Sequence, residues 1–418
     1  MVTDYTIPKD TPDWDVPLNA NLSDINNRLS AREGQTFYLL VASASAPASV
    51  RAKADYVCDG IADQVEIQAA VDAAFTQNGG IVQLSTGAFN TTAPVTLHPA
   101  VTIQGTHGDQ IFNPTQLTAG SYIAIQPSFA GGAAIVMLGQ TAGGYSGKSA
   151  DQRIFNLTIN GDSAPAGIHG IQASDYVHGV VMRDVAVVRV TGKGIYTFTE
   201  NGAQPFSWTF HRVLVDNSGG VGVHLINHTD CTAMDVISIG AGSDNFVLSN
   251  MPNSRFIGCR AEWGEGHGFK PEGNFGTGTG SGGMLFIGCS TDRNHSNGFD
   301  ITTTGNAPIS LVGCMTRRDG RNNNSGGGGF AGIFASAATT PIVISGWTQY
   351  PGQDDNGSGV NSPQIGGYFH GNSCVQIDTS YVHANTTGID QATNTIYQAG
   401  NMVTATGDTS APVRTGAP

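Results

Sequence analysis

From residue 185 onward, short apolar runs alternate with glycine, asparagine and aspartate at intervals of 23 to 30 residues. An apolar or cysteine anchor is followed ten positions later by another apolar residue, usually preceded by glycine. Val185 pairs this way with Gly194-Ile195, Val213 with Gly222-Val223, Val236 with Asn245-Phe246, Cys259 with Gly268-Phe269 and Cys289 with Gly298-Phe299. With the insert NNNSGG allowed for, Cys314 pairs with Gly329-Phe330. The pattern shows neither helical periodicity nor long strand alternation. Each unit reads as two or three very short strands, as in RFIGCRAE followed by GFKPEG. One such unit cannot bury its own apolar face, whereas a stack can. The spacing is too long for a hexapeptide solenoid, and the leucine and asparagine pattern of leucine-rich repeats is missing. The expected fold is therefore all-β: a right-handed, single-stranded parallel β-helix with one coil per repeat, rising by about 4.8 Å per coil.

The same reading places other elements before the coils. QVEIQAAVDAAF (64–75) reads as a short amphipathic helix, with Asp63 as N-cap and Glu66 at N3. It would lie across the open end of the solenoid and shield the exposed core and sheet edge. Nearer the N-terminus, Leu18, Leu22, Ile25 and Leu29 form a heptad-like stripe, too short to be stable alone. Packing on its own solenoid and a neck bundle between subunits both remain open for it. The expected organisation is an attachment or oligomerisation arm over 1–33, a β-helix over 34–398 with its capping helix at about 63–75, and a tail over 399–418.

Composition narrows the function. Glycine supplies 57 of 418 residues while charged residues are only 12%, which suits many strands joined by tight turns. A net charge of −13 argues against nucleic acid or an anionic membrane surface as the main partner, and leaves neutral polymers such as glycans open. No apolar run reaches the roughly 18–20 residues of a membrane helix, and MVTDYTIPKDTPDWDVP lacks the basic and apolar regions of a signal peptide. None of the six cysteines lies in a CxxC pair, and their spacing fits no zinc module, so free buried thiols are expected and no metal or cofactor is called for. Cys259, Cys289 and Cys314 take the position that valine holds in earlier coils, an inward ladder of small hydrophobes.

The stretch DGIADQVEIQAAVDAA, with GGIVQLSTGAFN and VTIQG after it, resembles the N-terminal segment of pectate-lyase-like right-handed parallel β-helices. KADYVCDGIADQVEIQAAV is most similar to β-helix proteins of phage tails, especially minor tail proteins and tailspikes of actinobacterial phages, and IPKDTPDWDVPLNANL resembles their N-terminal segments. The resemblance implies a virion tail protein with an N-terminal arm on other tail proteins, a β-helix facing host cell-envelope polysaccharide, and a homotrimer. A glycoside hydrolase or polysaccharide lyase, phage-borne or bacterial, is the alternative. A virion protein assembled in the host cytoplasm needs no export signal.

Chemistry is sought where coils stack. Three residues beyond the anchor the column reads Val188, Asp216, Ile239, Glu262, Asp292, Arg317. Glu262 and Asp292 would sit on adjacent coils about 5 Å apart, near the separation of a retaining glycosidase's carboxylates. Two close carboxylates shift one another into acid and base. Trp263, Glu265, His295, Arg317 and Arg318 lie around them as candidate ligand-binding residues, Trp263 for stacking on a sugar ring. Three readings stand open: a catalytic pair, a glycan groove without cleavage, and a solvated face whose carboxylates serve turns and ion pairs; calcium is conceivable within any of them. GHG (266–268) resembles a motif of polygalacturonase-like glycosidases, but their accompanying motifs are missing. Trp347 falls on the cysteine position and reads as core, and RRDGRNNNSGGGGF (317–330) reads as a protruding recognition loop.

Overall fold

The structure is a computed structural model describing residues 37–107, 120–139, 151–173, 177–197, 205–275, 282–321, 330–336, 338–359, 361–371, 375–384, 387–392, 396–398 and 403–405. The arm over 1–33 and Cys374 lie outside the described residues. Within them the chain is a parallel β-helix. Each strand pairs in parallel with its counterpart one coil before and one coil after, as Val213 does with Val185, Glu262 with Asp292 and Phe246 with Phe269.

Every coil has three faces. An eleven-stranded sheet running from Val95–Leu97 to Thr387–Ala392 forms one, and a 23-stranded sheet wraps round the other two. In early coils a single eight-residue strand bends across both, as in Val181–Val188 and Thr209–Asp216. Later coils split it in two, as in Arg255–Ile257 and Arg260–Glu262. At the bend the backbone turns left-handed in coil after coil: Asp184, Arg212, Asp235, Gly258, Gly288 and Gly313 have φ between 51° and 63°. Glycine, asparagine and aspartate adopt this conformation most readily, and three of these six positions are glycine. A second left-handed corner follows at Arg189, Asn217, Gly240, Trp263, Arg293 and Arg318.

Inward side chains stack on their own kind. Phe246, Phe269 and Phe299 lie 4.6 and 5.0 Å apart between successive ring centroids. Val236, Cys259, Cys289, Cys314 and Trp347 form the expected buried ladder. Cys58, Cys231, Cys259, Cys289 and Cys314 are all free and buried, and the Cys289 thiol points at the Phe256 carbonyl one coil back (3.3 Å). Burial lifts the Cys231 and Cys289 thiols well above their usual range, so they stay protonated and inert.

The capping helix spans Gln64–Thr76 and buries Ile67, Ala70, Val71 and Ala74 on the open end. Asp63 stands at its N-cap but does not cap it. Its carboxylate instead accepts the N–H groups of Gly60 (2.8 Å) and Asn90 (2.7 Å), stitching the turn to the neighbouring coil. Two boundaries also move. Phe299 pairs with Ile333, so Gly332-Ile333 takes the place expected for Gly329-Phe330 and the insert is three residues longer. At the C-terminal end Val403–Ala405 pairs with Tyr381–His383, carrying the coils past 398. No helix among the described residues is long and apolar enough to cross a membrane.

Candidate functional site

The sequence-predicted residues gather as expected at the second corner, where Ile239, Glu262, Asp292 and Arg317 occupy one column. Their side chains, however, are committed to each other. Both oxygens of the nearly buried Asp292 carboxylate accept from arginine: Oδ1 from Arg318 Nε (2.8 Å), Oδ2 from Arg318 Nη2 (2.5 Å) and Arg317 Nη2 (2.6 Å). Arg318 also holds Asp355. Glu262 Oε1 accepts from Arg260 (2.6 Å). Glu265 bridges His295 (2.9 Å) and Arg321 (2.7 Å), and Arg321 lies over the Trp263 ring at 5.4 Å. Asp292 is forked by one arginine and touched by a second, so the geometry of this corner is that of an ion-pair lattice.

Inside the same corner runs a buried polar ladder. Ser238 Oγ donates to Asn245 Oδ1 (2.8 Å), Asn245 Nδ2 to Asn294 Oδ1 (2.7 Å), and Asn294 Nδ2 to Asp319 Oδ1 (2.8 Å). Thr291 Oγ1 donates to Asp319 Oδ2 (2.5 Å). Complete burial pushes the Asp319 carboxyl up to about 7, against the pull of these donors. The ladder locks the turns that carry Trp263, Arg293 and Arg318.

The outer face of the eleven-stranded sheet differs. Tyr196, His224, Val247 and Lys270 stack on successive coils, and Asp300 stands beside Phe299 on the next. Lys193 Nζ lies 2.9 Å from His224 Nδ1 and 3.6 Å above the Tyr196 ring. His169 Nδ1 accepts the Lys193 backbone N–H (2.8 Å). Lys270 pairs with Glu272 (3.2 Å), which also accepts from Ser249 Oγ (2.7 Å). His267 Nδ1 lies 3.3 Å from Asp300, whose Oδ2 accepts from Asn297 Nδ2 (2.8 Å). Burial, with Lys193 nearby, depresses His224 to about 4 and lowers His169, so both rings are neutral at pH 7. Desolvation also lowers Lys193. Lysines, neutral imidazoles, a tyrosine and carboxylates thus share one face of the sheet and the turns that lead into it, able to bind a polar polymer and to move protons.

These residues carried a readable signal. Each stands one position beyond the apolar partner of its anchor, in GIY, GVH, NFV, GFK and GFD. Alternation along a strand makes that position face outward, and four of the five residues are polar.

No family model matches the chain, and no curated protein sequence is similar to it. Solved structures are. The A-module of the Azotobacter vinelandii mannuronan C-5 epimerase AlgE4 superposes with a TM-score of 0.56 at 15% identity, covering 85% of this chain and 96% of that one. The catalytic domain of a GH87 α-1,3-glucanase in complex with nigerose gives 0.56 at 12%, covering 81% and 64%. The gp42 tailspike of Acinetobacter phage vb_AbaP_AS12 gives 0.53 at 13%, covering 85% and 63%, so this chain spans less than two thirds of the length of these last two. What the chain shares with all three, at identities this low, is the parallel β-helix itself.

Proposed function

We propose that the protein is a phage tail protein, a tailspike or minor tail fibre, which binds a host cell-surface glycan along the outer face of the eleven-stranded sheet. The observation that carries this reading is the strip from Lys193 to Asp300, where four of five successive coils, stacked at about 4.8 Å, carry the polar residues Tyr196, His224, Lys270 and Asp300. A tailspike among the similar folds and a net charge unsuited to nucleic acid support it. In this reading residues 1–33 attach the protein to other tail proteins of an actinobacterial phage, and three chains associate. The ion-paired corner around Glu262, Asp292 and Arg318 holds the coil turns rigid, and Trp263 borders the binding face.

A second reading, cleavage of the glycan, is favoured by His224, a neutral imidazole within electrostatic reach of Glu272 on the same face and suited to general acid–base work. Purified protein incubated with envelope polysaccharide distinguishes the two: binding alone retains the polymer, whereas cleavage releases reducing ends or unsaturated products. Glu272→Gln together with His224→Gln is expected to weaken retention at least tenfold, while Glu262→Gln and Asp292→Asn leave it within twofold. The opposite pattern would move the site to the corner.

A further inference from the structure

Among the described residues Lys193 stands apart from every other cation. Arg189, Lys270, Arg293, Arg317, Arg318 and Arg321 each lie within 4.0 Å of a carboxylate. The cations without such a partner, such as Arg153 and Arg255, are exposed to water. Among the described residues Lys193 alone is both partly buried and without a described carboxylate within 4.0 Å, in a chain with 32 acidic and 19 basic residues. An uncompensated ammonium in a partly dry site costs solvation free energy, and the surplus of acids around it makes its isolation more telling.

The protons around it can be assigned. A backbone N–H can only donate, so the Lys193 N–H fixes His169 Nδ1 as an acceptor and leaves the His169 proton on Nε2. The Lys193 ammonium has donors only, so His224 Nδ1 accepts as well and its proton also sits on Nε2. Tyr196 packs between the two rings, 5.2 Å from His169 and 5.5 Å from His224. The result is an ammonium flanked by two imidazole N–H donors over a tyrosine. Glu272, the carboxylate acting on His224, is already occupied by Ser249 and Lys270. The cluster is rich in donors and positive, and no other carboxylate among the described residues pairs with it.

We infer that Lys193, His169, His224 and Tyr196 form a subsite for an oxyanion carried by the glycan, a sugar carboxylate or a sulfate or phosphate ester. The inference rests on the proposed glycan-binding face and names the chemistry of its ligand. The oxyanion would take the place of the missing carboxylate at Lys193, and the Tyr196 ring would lie against the sugar. Polar neighbours along the strip would hold the adjoining units.

Binding of the full chain is measured against four probes: a uronic-acid hexasaccharide, a sulfated hexasaccharide, a neutral glucose hexasaccharide and inorganic phosphate. The expected result is at least tenfold tighter binding of one charged hexasaccharide than of the neutral one. Lys193→Gln abolishes that preference, weakening the charged hexasaccharide at least tenfold more than the neutral one, and Lys193→Arg retains most of it with the same unfolding midpoint. Which charged probe wins identifies the oxyanion. Equal affinity for charged and neutral oligosaccharides overturns the inference but leaves the glycan-binding reading standing. Failure to bind any oligosaccharide or host polysaccharide removes both. Binding of inorganic phosphate as tight as that of the charged sugars shows an ion site without a sugar subsite, which also overturns the inference.

Discussion

Asp319 shows how far one residue departs from what its type suggests. In sequence it is one more acidic residue in a turn; in the structure it is wholly enclosed, accepting from Thr291 and Asn294. Its folded pKa of about 7 lies above the usual 3.8, so the folded chain holds the proton more tightly than the unfolded one. The stability it contributes is therefore whole below about pH 4, declines as pH rises, and is gone above about pH 7. Asp319→Asn removes this dependence. The unfolding midpoint of the variant minus that of the parent is expected to grow between pH 5 and pH 8, by up to a few kcal/mol in stability; a difference flat with pH would show that the carboxyl is not buried. Asp292 is the contrasting case. Asp292→Asn weakens the arginine fork and leaves Arg317 and Arg318 undercompensated, so chemical denaturation should show a loss of about 1–3 kcal/mol without a matching loss of glycan retention.

The elements of the coil rest on two repeated devices. One is the inward ladder of Val236, Cys259, Cys289 and Cys314. Because valine fills the same position at Val236, Cys259→Val, Cys289→Val and Cys314→Val should each cost less than about 1.5 kcal/mol. Cys289→Asp would place an unpaired charge in the core and prevent folding, as an expression and unfolding assay would show. The other is the left-handed corner. At Gly288, with φ +59°, an added Cβ meets nothing within 4 Å, so Gly288→Ala isolates the backbone penalty. A destabilisation of about 1–2 kcal/mol is expected, measured by urea unfolding; a neutral result would mean that the corner relaxes. The stacking register of Glu262 on Asp292 was legible because ten-residue spacing from each anchor carries through the coils from Val185 to Cys289. The register at residue 333 was not, because NNNSGG contains nothing that distinguishes Gly329-Phe330 from Gly332-Ile333, and only pairing with Phe299 selects between them.

For the molecule as a whole, the solenoid converts sequence period into a surface on which chemistry is laid out by coil. If the stripe over 18–29 joins subunits, sedimentation should give a trimer for the intact chain, and deleting residues 1–33 should shift it toward monomer; an intact chain that sediments as a monomer removes that role. The sequence by itself determined the β-helix, its small-residue ladders, the capping helix and the alignment of columns, because these follow from apolar spacing and glycine position, which are local and repeated. Only the tertiary structure decided which columns remain available to a ligand. Glu262, Asp292, Arg317 and Arg318 share residue types with any active site, yet Glu262 is paired with Arg260 and the ion pairing of Asp292, Arg317 and Arg318 depends on side chains up to 37 residues apart, including Asp355. Lys193, His224 and His169 come from three different coils, and the proton positions that make them one positive, donor-lined cluster exist only once those coils are stacked.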